Sequence, residues 1–215
     1  MGIYIEALIL YILLFFSGTA VHFYGISSSA AGFSASAELM KVFFYTIPAL
    51  MLIWYLIVKA KTIEIWIIKP GKKDFKAAFL TYPFLLITGS IISFVSLYFN
   101  EPSEKIILNS PSTGFEWVIL CLSFVLSAYL EESFFRFYII TKRQELNLTA
   151  PAALFLSVVL FSVCHIGAGP WSFLNAVLCG AFFGFIFLRY NSFHGIAIAH
   201  FLYNITSVYL NTLNN

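Results

Sequence analysis

Two carboxylates and a guanidinium, Glu131, Glu132 and Arg136, stand inside residues 117–140, a run that is otherwise almost entirely apolar. A charged side chain near the centre of a bilayer costs about 2.5 to 3.5 kcal/mol, so three unpaired ones would cost roughly 7 to 10 kcal/mol. The fold must supply compensation. On a helix Glu132 and Arg136 are four residues apart with the acid first, the favourable order for a pair on one face. Glu131 lies about 100° round from Glu132 and has no basic residue three or four positions away. An unpaired intramembrane carboxylate marks a candidate functional group.

The rest of the chain supports a membrane setting. Of 215 residues 60% are hydrophobic and only 10% charged, against about 25% charged in soluble domains. A span needs about 20 apolar residues. Residues 3–24, 42–58, 77–99, 117–140, 152–167, 171–188 and 195–210 meet or approach that length. The expected fold is therefore all-α, a polytopic transmembrane bundle of about seven spans around a polar intramembrane cavity, with residues 1–215 forming one domain. Residues 3–24 lack a basic start and reach spanning length, so they predict a retained helix rather than a cleaved signal. Between the second and third spans, residues 59–76 hold an apolar run too brief to cross. They predict an interfacial helix with Trp66 at headgroup depth.

Lysine and arginine collect in three loops: Lys59, Lys61, Lys69, Lys72, Lys73 and Lys76 in one, Lys142 and Arg143 in the next, Arg189 in the third. Seven spans put these loops on one side, so the positive-inside rule predicts a cytoplasmic N-terminus and an external C-terminus. The lysine-rich loop could also meet anionic headgroups, although a topology signal suffices to explain it. Membrane lipids are the expected surroundings, and no basic and aromatic patch suggests a nucleic-acid partner. Cys121, Cys164 and Cys179 sit in apolar runs with no CxxC spacing and read as small buried hydrophobes.

Which polar groups could meet Glu131? His165 follows Phe161 by one turn, and His200 precedes Asn204 by one turn. His22 and His194 lack a polar companion at helical spacing and read as bystanders. At 1.5 Å per residue, Glu131, His165, His200 and Asn204 fall within about 12 Å of one another in depth. Helix tilt can close that spread. Converged, they suit amide hydrolysis: Glu131 as general base for a water with His165 sharing it, and His200 and Asn204 donating to the tetrahedral oxyanion. Glu132 and Arg136 would hold the helix in place. The same atoms offer a second use, since Glu131, His165 and His200 make a two-His, one-carboxylate set that could hold zinc. The stronger HExxH spacing is absent, and direct activation of water is the favoured reading, with no cofactor. Two further classes stay open. One is a non-proteolytic immunity or scaffold protein, the other a proton-coupled transporter, which the lack of an internal repeat disfavours.

Three short motifs in order, Glu131-Glu132-Ser-Phe-Phe-Arg136, Phe161 to His165 and His200 to Asn204, resemble the EExxxR, FxxxH and HxxxN motifs of the CPBP family of intramembrane proteases. That family includes the type II CAAX prenyl proteases and the bacterial Abi proteins. The run from Asn175 through Gly180 and Gly184 to Ser192 is similar to the family's approach to its last motif. The resemblance covers residues 116–207. It implies an intramembrane endopeptidase, with Glu131 and His165 activating the water and His200 and Asn204 as oxyanion site. It also implies a substrate that is a peptide or membrane protein, and a fold often of eight helices. Family members have been described both as metalloproteases and as glutamate-dependent proteases. A small chain of this kind looks more like the bacterial branch, in a cell membrane, where a lipidated CAAX substrate is not expected.

Overall fold

The computed structural model describes residues 2–16, 33–59, 69–99 and 111–213. Among them there are helices and no strands. We number the helices α1 (Gly2–Tyr11, prolonged by a wider turn, Ile12–Phe16), α2 (Ala35–Lys59), α3 (Lys72–Tyr98), α4 (Gly114–Thr141), α5 (Ala150–Val163), α6 (Pro170–Tyr190) and α7 (Phe193–Leu213). Four of them, α2, α3, α4 and α6, are long and apolar enough to cross a bilayer. This count departs from the seven spans expected. The described parts of α1 and α5 are shorter apolar helices. α7 is as long as α6, but His194, His200, Asn204 and Asn211 dilute its apolar run. The expected interfacial helix with Trp66 lies largely outside the described residues, as do His22 and the far end of the first expected span.

Helix ends follow local chemistry. The Thr113 hydroxyl accepts from Glu116 N while the Glu116 carboxylate accepts from Thr113 N, a reciprocal capping box that starts α4. Thr149 caps α5, with Pro151 just inside it, and Gly169, at φ +91°, turns the chain into Pro170 at the head of α6. Asn191 ends α6 in the left-handed conformation that asparagine tolerates.

α4 lies at the centre. It packs against α2, α5, α6 and α7, and its last third, from Leu130 to Ile140, presents an almost unbroken buried surface of Phe134, Phe135, Phe137, Tyr138, Ile139 and Ile140. α3 is the outward helix: Phe75, Phe79, Phe94 and Tyr98 are all more than two-thirds exposed, as a lipid-facing helix requires. Close approach to α6 depends on Gly184, where a Cβ would stand 2.2 Å from Leu154 of α5. The Gly180 and Gly184 pair therefore acts as a small-residue packing stripe.

The start of α3 and the turn into α7 are tied by one buried carboxylate. Asp74 accepts from Gly71 N at 2.8 Å, from Ser192 Oγ at 2.5 Å and from Gly195 N at 3.3 Å. A Cβ at Gly195 would stand 2.5 Å from the Asp74 carbonyl oxygen and 2.8 Å from Ala77 Cβ. Gly195→Ala is therefore expected to force α3 and α7 apart at a cost of about 1 to 3 kcal/mol. Thermal melting of the detergent-solubilised protein checks this, the midpoint falling by several degrees.

Candidate active site

The charged motif sits where α4 changes pitch. The chain is α-helical through Glu132 and then takes a π-helical turn, Ser133–Tyr138, before Ile139. A widened turn frees carbonyls from the regular ladder, and neighbours take them: Ser157 Oγ of α5 donates to Phe135 O at 2.6 Å, and Thr141 Oγ1 donates to Phe137 O. Such bulges recur at functional sites.

The pair expected from the sequence forms. Arg136 Nε lies 3.2 Å from Glu132 Oε2, with both side chains fully buried. Nη2 of the arginine donates to Gly180 O on α6 at 3.2 Å. Nη1 has no hydrogen-bond partner. The rings of Phe161, Phe183 and Phe135 surround the guanidinium instead, their centroids 4.4, 5.1 and 5.7 Å from Cζ. Guanidinium is weakly hydrated and stacks on aromatic faces, so a phenyl cage can take the place of part of its solvation. A Cβ on Gly180 would meet Phe161 at 3.0 Å and Arg136 Nη2 at 3.4 Å, which explains glycine at that position.

The two histidines are oriented from behind. His200 Nδ1 lies 2.9 Å from Glu132 Oε1. His165 Nδ1 lies 2.9 Å from Phe161 O. A carbonyl only accepts, so His165 carries its proton on Nδ1 and its lone pair on Nε2. His165 is not inside a span, as the sequence led us to expect. α5 ends at Val163, and His165 occupies the turn before Gly169-Pro170.

Glu131 was expected to be free and is nearly so. Its Oε2 is buried with no hydrogen-bond partner, and His200 Nε2 lies 3.8 Å away. That gap is too long for a direct hydrogen bond and short enough for one water to bridge. His165, His200 and Asn204 line one cavity of about 110 Å³, walled by Phe161 and Phe183. Glu131 stands beside that cavity, reached across His200, rather than among its lining residues. Three of the four polar groups read from the sequence thus share one cavity, and the fourth, Glu131, stands 3.8 Å from His200.

Among the described residues no three His, Cys, Asp or Glu side chains are placed to hold a metal ion.

Sequence reasoning missed Asn175, Cys179 and Tyr203, which line the same cavity. Asn175 and Cys179 are four apart on α6, a spacing that could have flagged them, and Tyr203 adjoins Asn204. His194, read as a bystander, is hydrogen-bonded at Nδ1 to the Tyr129 hydroxyl, 3.0 Å away.

The buried pair is testable by stability. Arg136→Met strands Glu132 in an apolar interior, and breaking such a pair costs about 3 to 5 kcal/mol. Thermal unfolding should show that loss, and adding Glu132→Gln should restore much of it.

No curated protein and no solved structure gives a significant match to the chain. Residues 113–206 match the family model described as type II CAAX prenyl endopeptidase, Rce1-like, a stretch that holds every residue of the site. The part of the chain that builds this site is thus similar to the Rce1-like type II CAAX prenyl endopeptidases, in agreement with the resemblance of the three motifs to the CPBP family.

Proposed function

We propose that the protein is an intramembrane endopeptidase that activates water directly with Glu131. The observation that carries the reading is the unpartnered buried Oε2 of Glu131 facing His200 Nε2 across 3.8 Å, at the edge of a cavity lined by His165, His200 and Asn204. The chemistry balances as follows. Glu131 takes a proton from the water as its oxygen bonds to the carbonyl carbon of the substrate. The carbonyl oxygen becomes an oxyanion, and the C–N bond then breaks as the leaving nitrogen receives a proton. The Nε2 lone pair of His165 orients the water and relays that proton.

His200 enters with a condition that its spacing does not convey. Its Nδ1 proton is committed to Glu132, so it can donate to an oxyanion only through Nε2, as an imidazolium. Asn204, one turn further on α7, supplies a neutral donor to the same oxygen. Preorganised donors of this kind are each worth about 2.7 to 4 kcal/mol in the transition state. No step is routed through a metal.

The substrate proposed is a peptide bond in a membrane-associated peptide or protein, reached from within the bilayer. The basic ends of α2, α3, α4 and α6 are proposed to face the cytoplasm, as charge placement suggests. In lipid nanodiscs, Glu131→Gln should lower cleavage of an internally quenched membrane-partitioning peptide by at least about 100-fold. Its melting temperature should stay close to wild type. Undiminished cleavage by that variant rules the mechanism out. A matched peptide bearing a prenylated cysteine near its C-terminus, assayed alongside, distinguishes the two substrate classes.

A further inference from the structure

The cavity has a second polar wall that hydrolysis leaves unused. Asn175 of α6 and Tyr203 of α7 both line it, and Asn175 Nδ2 donates to the Tyr203 hydroxyl at 3.0 Å. The thiol of Cys179, one turn along α6, donates to Asn175 Oδ1 at 3.5 Å, which fixes the end of the amide that meets the phenol. α3 provides the seat for the ring. A Cβ on Gly89 would stand 2.4 Å from the Tyr203 hydroxyl oxygen and 3.2 Å from the ring carbons, so the phenol lies against bare backbone. Three helices thus hold one hydroxyl in place beside the cavity.

As acceptor from Asn175, the phenol keeps its own proton to give. His200 and Asn204 flank Tyr203 on the same helix and line the same small cavity, so a group bound against them lies near the hydroxyl. The guanidinium of Arg136 is shut behind Phe161 and Phe183 and offers no positive charge to a ligand there. The Asn175 and Tyr203 side of the cavity carries no charge, so its donor suits an uncharged acceptor, and the main-chain carbonyl is that acceptor in a peptide.

We propose that Tyr203 is a substrate-binding residue that donates its phenol proton to a main-chain carbonyl of the peptide, with Asn175 as a positioning residue acting through it. The proposal rests on the peptidase reading above and deepens it. The full chain in nanodiscs is assayed with whichever of the two quenched peptides wild type turns over faster. Tyr203→Phe should raise KM about three- to tenfold, the loss of one neutral hydrogen bond, with kcat changed by less than about twofold. Asn175→Leu should raise KM similarly and add nothing in the Tyr203→Phe background, since both act through one contact. If Asn175→Leu melts early, Asn175→Asp, which keeps the acceptor and loses the amide donor, takes its place. An unchanged KM in Tyr203→Phe overturns the proposal, and so does a fall in kcat at unchanged KM. Additive effects overturn the part given to Asn175. Direct binding of the same peptides to Glu131→Gln, with and without Tyr203→Phe, separates the two readings. Weaker binding with Tyr203→Phe while wild type cleaves neither peptide would sink the peptidase and leave Tyr203 as a peptide-binding residue. Cleavage by wild type with binding indifferent to Tyr203→Phe would sink the Tyr203 proposal alone.

Discussion

Everything in the site depends on one fully buried ion pair. Glu132 is held by Arg136 on one oxygen and by His200 on the other, and those contacts join two turns of α4 to α7. Arg136 reaches on to the Gly180 carbonyl of α6, and the Phe161 ring that cages it belongs to α5. A charge left alone at this depth would be costly, so each partner constrains the next. The pair adds little net stability compared with apolar side chains of the same volume. Its contribution is to permit one arrangement of four helices and to penalise the others.

The π turn after Glu132 belongs to the same constraint. A regular helix beyond residue 132 would present its phenylalanines at a different angle. The widened turn instead lets four consecutive aromatic or cationic residues, Phe134 to Phe137, all be buried. The carbonyls it releases are met by Ser157 and Thr141. Backbone that is irregular at membrane depth survives only where protein covers it and side chains meet its free groups, and both conditions hold here.

The parts of this arrangement that were legible in the sequence are those set by helical spacing. The Glu132 and Arg136 pair, the isolation of Glu131, and His200 with Asn204 on one face all follow from a period of 3.6 residues. The glycine stripe at Gly180 and Gly184 was legible too, although only coordinates name Leu154 and Phe161 as the side chains that fill it. Four features were not legible, for definite reasons. A π turn has no strong residue preference, so nothing in residues 133–138 announces it. The apolar run 152–167 reads straight through His165, whereas the helix stops at Val163 and a short turn, Ile166–Ala168, leads to Gly169 and Pro170. Residues 195–210 were also expected to span, whereas the polar His194, His200, Asn204 and Asn211 leave α7 outside the helices apolar enough to cross a bilayer. The wall of Asn175 and Tyr203 needed knowledge of how α6 and α7 rotate against α3, which a single helix's pattern does not contain.

Glu131 and Glu132 are adjacent and chemically identical, yet the fold gives them opposite situations. Consecutive helical residues point about 100° apart, so one faces the arginine and the anchored nitrogen of His200 while the other faces that ring's remaining nitrogen across a gap. Both oxygens of Glu132 are engaged, one with Arg136 and the other with His200. Glu131 has a buried oxygen, Oε2, with no hydrogen-bond partner. The contrast between the two glutamates thus comes down to a single step along the helix, and His200, 2.9 Å from one and 3.8 Å from the other, is where their surroundings meet.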